Sequence, residues 1–431
     1  MRAVVVGGGL AGIAAALELA DNGAGVTLLE ARPRLGGATF SVQREGLWLD
    51  NGQHVFLRCF TTYRELLRRL GADDKVVLQE RLDIPVLGPG GRRARLRRSG
   101  LPAPFHLAGA IARYGFLSPL ERLRVLPAAR TLARLDLDDP ALDERTFADW
   151  LGEHGQSPRA VEALWNLITL PAVNLPADEA SLALGAMVFK VGLLEEADAG
   201  DLGYAAAPLQ QLHGDAAERA LLEAGVEVRT KTRVGELPDA AAVVLAVPHD
   251  EAAGLVPGLE RVRGLGSSPI LNVHVVYDRR VCEHDFAAGL GSPAQFVFDR
   301  TASSGLEHGQ YLAVSVSGAS AYADRTLDDL RAEFLPALAE LFPAAQEARV
   351  ERFFVTREPE ATFRGAPGTR ALRPAATAVE GVYLAGAWTD TGWPATMEGA
   401  VRSGLTAARA ALSGTDQDDL VALSHKASQT A

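Results

Sequence analysis

The chain is poor in cysteine, in long apolar runs and in positive charge, and each shortage narrows what it can be. Cys59 and Cys282 are its only two cysteines and lie far apart. They argue against a disulfide framework and fit a reducing interior. No Cys/His spacing of the kind that holds zinc is present, so no metal site is expected. No stretch is apolar for long enough to span a bilayer. A net charge of −11 gives no reason to expect nucleic acid as a partner. No internal repeat is visible, and the first residues already read as a buried strand, so no cleavable signal peptide is expected. The 431 residues, 48% of them apolar, suffice for two domains.

What is present begins at once. Arg2 to Val6 is an apolar strand, Gly7-Gly8-Gly9-Leu10-Ala11-Gly12 is a glycine turn, an Ala/Leu-rich run to Leu19 follows, and Gly25 to Leu29 is a second strand ending on Glu30. Gly7, Gly9 and Gly12 occupy the first, third and sixth positions of a G-x-G-x-x-G pattern inside a β-α-β unit. Such a turn delivers a pyrophosphate to the N-terminus of the helix, where free N–H groups and the helix dipole favour an anion. Glu30 stands where a carboxylate takes both ribose hydroxyls of an adenosine, which also argues against a 2′-phosphate. An ordinary glycine-rich turn is the alternative.

Further along, Ala31 leads to a Gly36-Gly37 pair suited to a loop passing close to phosphates. Asn51-Gly52 reads as a turn that places Gln53 and His54 at the start of a strand. Val76 to Arg98 is strand-like around Gly88-Pro89-Gly90-Gly91, with arginines crowding the returning strand as on a solvated edge or a phosphate-facing one. Leu101 to Leu135 mixes apolar bulk with arginine, which suits a helix at a membrane interface or one packed on a domain. Helices expected near 146–151, 160–170 (stopping at Pro171) and 181–194 would wall an apolar cavity. Ala241 to Val247 returns to a buried parallel strand, and 268–277, 295–298, 312–317 and 349–356 build a second sheet. From Gly381 a strand reaches a glycine-rich bend at Gly386, and after Pro394 a helix carries Gly399 and Gly404, glycines that admit something bulky.

The fold class expected is α/β: a Rossmann-like dinucleotide-binding domain with an interleaved α+β substrate domain of mixed sheet plus helical wall. The dinucleotide part takes 1–75, 204–262 and 375–413; the substrate part takes 76–203 and 263–374; 414–431 is a flexible tail.

The glycine motif, Glu30, the Gly36-Gly37 loop and the Gly386/Trp393/Glu398 segment together resemble the flavin-dependent amine oxidase and carotenoid desaturase superfamily, over nearly the whole chain to about residue 412. Asp50-Asn51-Gly52-Gln53-His54-Val55 and Leu384 to Gly404 resemble in particular the hydroxysqualene dehydroxylase family. The resemblance implies FAD as cofactor and a reductive conversion of hydroxysqualene to squalene in hopanoid biosynthesis, with hydride from flavin N5 and acid-assisted loss of water. Desaturation of a polyprenyl chain and oxidation of an amine are the alternatives within the superfamily, and a non-catalytic FAD-binding scaffold is one outside it.

By the same resemblance Gly7, Gly9, Leu10, Ala11 and Gly12 hold the pyrophosphate, and Glu30 and Ala31 meet the ribose. Gly36, Gly37 and Ala38 follow the phosphates, Val234 presents backbone to the adenine, and Gly386, Asp390, Thr396 and Met397 meet the flavin end. Two positions depart from the pattern: Ala38 stands where Arg is usual, and Ala387 where an acid is, with Asp390 as a substitute. His54 is the candidate proton donor, since a free imidazole titrates in the useful range. Trp393 and Trp388 would line the flavin cavity, or simply pack. Partners implied are a long apolar isoprenoid, an external electron donor, the enzymes of squalene synthesis and a membrane touched through about 101–135. The place implied is the cytoplasm, at the inner face of the membrane.

Overall fold

The first thirty residues form the centre of a five-stranded parallel sheet. The computed structural model describes residues 1–377, 379 and 381–428. In space the strands run Glu227–Arg229, Gly25–Leu29, Arg2–Val6, Ala242–Leu245 and Val382–Leu384. Val5, Leu28, Val244, Leu245 and Leu384 are fully buried, which is why these strands read as unbroken apolar runs. The helix Leu10–Asp21 packs against the last helix, Met397–Ser428. Gly404 makes that approach possible: a Cβ there would overlap the carbonyl oxygen of Ala11. This corrects the expectation of a bulky group at the helix glycines. What reaches Gly404 is backbone, and at Gly399 a Cβ would lie 3.1 Å from the Pro394 oxygen.

A seven-stranded mixed sheet forms the second layer. Its order is Val350–Phe363, Ser267–Tyr277, Gln310–Ser317, Phe296–Asp299, Phe286–Gly289, Asp83–Gly88 and Arg92–Arg97. All neighbours are antiparallel except Phe286–Gly289 against Asp83–Gly88. The arginine-rich strand is indeed an edge, and so is Val350–Phe363, which tolerates Pro359 for that reason. Short helices cover this sheet with one apolar cluster in which Phe147, Trp150, Trp165 and Phe189 meet.

Three local expectations change. The hairpin turn is at Glu45-Gly46, both with positive φ, joining Ser41–Arg44 to Leu47–Asp50; Asn51-Gly52 instead leads out of that hairpin. The helix around Trp165 runs through Pro171 to Val173 and stops at Asn174, in the left-handed conformation. The stretch 101–135 is not one broken helix but a 3-10 turn, the short helix Ala108–Ala112 and the helix Pro119–Leu132, started by a Ser118/Glu121 capping box. The expected tail, 414–431, falls in and beyond the end of the last helix, and 429–431 lie outside the described residues. Among the described residues no helix is long and apolar enough to cross a membrane, and both cysteines are free.

Candidate active site

The end of the strand Arg2–Val6 builds a cradle of glycines. Gly7 takes φ +108°, and a side chain on Gly12 would overlap the Gly7 carbonyl. The helix Leu10–Asp21 starts at Gly9 with no side-chain cap, and Leu10, Ala11 and Gly12 are all buried there. A buried helix start without a cap holds unsatisfied N–H groups, the arrangement that takes an anion. The second glycine loop closes on it: the Gly36 N–H donates to Gly8 O at 2.9 Å. A Cβ on Gly37 would come within 2.7 Å of the Gly9 Cα. Ala31 and Ala38 are exposed beside this junction. Arg34 lies over the Phe40 ring and donates to Gly37 O at 3.3 Å, supplying charge near the loop where Ala38 supplies none.

Glu30 is buried, and its carboxylate accepts from Gly8 N at 2.6 Å and Arg32 N at 2.7 Å. The acid thereby ties both glycine loops to the strand end and keeps lone pairs for further donors. Backbone bonds from Thr232 N to Glu30 O and from Lys231 N to Arg32 O pin the following loop alongside, so half-buried Val234 sits at the same end of the sheet as Glu30.

At the opposite end of the cradle the chain gathers around Gly52. A Cβ on Gly52 would lie 3.2 Å from His54 Nε2 and 3.8 Å from Asn272 Nδ2. Asn51 clamps the glycine loop by donating to Ala38 O and accepting from Phe40 N. Its own carbonyl accepts from Asn272 and Thr356 of the large sheet. Next to it Asp50 accepts from Ser41 Oγ, Leu209 N and, at 2.7 Å, Arg300. Arg300 also donates to Ala205 O. Asp50, Gln53, His54, Tyr204, Leu209, Phe298 and Arg300 line a small cavity of about 10 Å³, room for about one water.

Burial pushes the His54 imidazole down to about 4, with the Asp50 charge only partly opposing. Its ring is therefore neutral at pH 7. This corrects the expectation of a freely titrating proton donor, because a shielded ring loses the solvation its charged form needs. Nearby His213, paired with the Tyr63 hydroxyl at 2.8 Å, is lowered to about 3 by burial and by His54.

The C-terminal loop is held by a residue the sequence did not single out. Arg373, buried, donates to the carbonyls of Ala387, Thr389 and Trp393 and to Thr391 Oγ1. Burial lowers it to about 10, with Asp390 opposing. Asp390 itself is exposed and acts on Arg373, so the structure does not bring its carboxylate to the inside of the Gly386 bend. Gly386 N donates to Ser403 Oγ at 2.7 Å. The Trp388 indole N–H is spent on Val247 O. Trp393 stands edge-on to Phe60, with the Arg402 guanidinium 5.2 Å from its ring centre. Thr396 caps the last helix by accepting from Gly399 N, and Met397 is buried behind it. Glu398 is fully buried and caps another helix, Thr61–Arg69, by accepting from Thr62 N and Tyr63 N.

Around Gly52 the buried atoms Gln53 Nε2, His54 Nε2 and Asn272 Oδ1 have no partner among the described residues. Buried groups of this kind are costly unless paired. An uncapped helix start, a cradle of glycines and unpaired polar atoms beyond it match a ligand with phosphates at one end and a polar heterocycle at the other. Asn272 and His274, two polar residues two apart in an apolar strand, were the legible signal for this face; Arg300 and Arg373 had none.

The profile of flavin containing amine oxidoreductases matches residues 10–412. The chain belongs to that family. It is a flavin-dependent oxidoreductase, its cofactor is FAD, and the donors just described suit that group. Among similar proteins is the hydroxysqualene dehydroxylase of Rhodopseudomonas palustris, 30% identical over 94% of this chain and 96% of its own. The zeta-carotene desaturase of Synechocystis is 26% identical over 96% and 97%. The solved cyclohexylamine oxidase of Brevibacterium oxydans superposes with a TM-score of 0.73 at 20% identity, covering 96% and 99%, a likeness of fold.

Proposed function

We propose that this enzyme removes the hydroxyl of hydroxysqualene reductively, giving squalene in the hopanoid branch of triterpenoid synthesis. The observation that carries the reading is the likeness to a dehydroxylase along nearly the whole chain, at 30% identity. The Asp50–Val55 segment, where the resemblance is most specific, also holds Gln53 and His54, each with a buried nitrogen that has no partner among the described residues.

In this reading Gly7, Gly9, Leu10, Ala11 and Gly12 hold the FAD pyrophosphate, Glu30 the ribose and Val234 the adenine, while Gly36 and Gly37 follow the phosphates. Gly386, Thr396 and Met397 bound the flavin end. Reduced FAD supplies the hydride when bound. The substrate's carbon–oxygen bond would break with the hydride taking its place, and the hydroxyl would leave as water with a proton drawn from solvent; an external reductant would return the two electrons. His54, neutral at pH 7, hydrogen-bonds the departing oxygen, and Trp393 faces the reacting end. Asp50 is committed to Arg300 and takes no part.

Polyene desaturation is the second reading, favoured by desaturases that match the chain as completely. Direction separates the two. Reduced enzyme reoxidised by hydroxysqualene supports dehydroxylation; oxidised enzyme bleached by a polyene supports desaturation. A substrate so apolar partitions into bilayers, so the enzyme would work peripherally at the inner face of the cell membrane, beside the enzymes that make squalene.

A further inference from the structure

Between residues 91 and 135 the sequence carries ten arginines and a single acid, Glu121, in a chain whose net charge is −11. That half-buried acid is taken up locally, accepting from Ser118 N and Ser157 Oγ. Arg95 and Arg97 pair with Asp83, and Arg98 with Asp201. Among the described residues Arg92, Arg93, Arg113, Arg124, Arg130 and Arg134 meet no carboxylate. The same stretch holds five of the ten large apolar side chains exposed among the described residues: Leu101, Phe105, Leu120, Leu123 and Leu126.

The helix Pro119–Leu132 explains how both features share one surface. Val125, Ala128 and Leu132 face inward, onto the cluster of Trp150, Trp165 and Phe189. Leu120, Leu123 and Leu126 face outward, with Leu123 73% exposed, and exposed Arg124 stands among them with exposed Arg130 one turn beyond. The short helix Ala108–Ala112 joins this helix to the arginine strand, packing on both. An apolar ridge rimmed by unpaired cations is complementary to a leaflet that offers hydrocarbon beneath negative headgroups. A second copy of the chain would bring the same cations face to face and is disfavoured.

We infer that this face, Leu101 to Leu126 with the rim Arg92, Arg93, Arg113, Arg124 and Arg130, docks the enzyme on an anionic lipid bilayer. The reason for a membrane rests on the reading of the substrate as an isoprenoid; the surface itself does not. The test is sedimentation of the FAD-loaded full chain with phosphatidylcholine vesicles, with and without phosphatidylglycerol, at low and high salt. Binding should require the anionic lipid and fall with salt. Arg124→Glu/Arg130→Glu should weaken it about fivefold or more per position. Leu120→Ser/Leu123→Ser should weaken it with the lipid preference kept. These positions are exposed, so the flavin spectrum and melting temperature should stay at wild-type values. Absence of binding overturns the proposal. So does binding that neither variant alters, or self-association that the leucine variant abolishes. Vesicle binding without squalene formation would instead count against the proposed reaction alone.

Discussion

Arg300 Nη2 lies 2.7 Å from Asp50 Oδ2, and both side chains are almost sealed from water. The pair joins the hairpin of Ser41–Arg44 and Leu47–Asp50 to the seven-stranded sheet, so it fixes how the glycine cradle meets that sheet. Removing one partner strands the other charge in the interior. Arg300→Met or Asp50→Asn should therefore each cost about 3–5 kcal/mol. Chemical denaturation measures this, and the two losses should fall well short of additive in the double variant.

Gly37 and Gly9 touch because neither has a side chain, and Gly37 holds φ +58°. Gly37→Val should push the two loops apart. The expected result is protein that purifies folded but loses FAD, with a dissociation constant raised at least tenfold. Flavin content after dialysis reads it directly.

Burial holds His54 near 4, and His213 and His274 near 3, whereas each binds its proton near 6.5 when unfolded. Between those values the unfolded chain binds more protons than the folded one. Stability is thus fully present above about pH 6.5 and declines as pH falls toward 4. His54→Gln should flatten that decline. Denaturation midpoints between pH 7.5 and pH 5 check the sign.

Glu398 accepts from Thr62 N and Tyr63 N and pairs with Arg402 four residues on. Glu398→Ala should cost about 2–3 kcal/mol, since these bonds are charge-assisted and the carboxylate itself is fully buried. Glu398→Gln, which keeps an acceptor, should recover part of it. Thermal melting of both variants separates the cap from the packing.

The parallel sheet and its cradle were legible because the strands are unbroken apolar runs and the turn between them is glycine. The arginine-rich edge strand was legible for the same local reason. What was hidden joins distant parts of the chain. Glu398 caps a helix that begins at Thr61, Asp50 finds Arg300, and Gly404 answers to Ala11. No local period marks such partners. Asn51-Gly52 has hairpin composition, yet the side chain of Asn51 is taken by Ala38 and Phe40, so the turn moved to Glu45-Gly46. His54 was found in the sequence, but its environment, which sets its charge, was not.

The most direct test of the account is an anaerobic incubation of the purified enzyme, its FAD chemically reduced, with hydroxysqualene, followed by analysis of the lipid extract. The account predicts squalene, one per reduced flavin, with none formed by the oxidised enzyme. No squalene from the reduced enzyme, together with bleaching of the oxidised flavin by a polyene, would contradict it and assign the chain to desaturation.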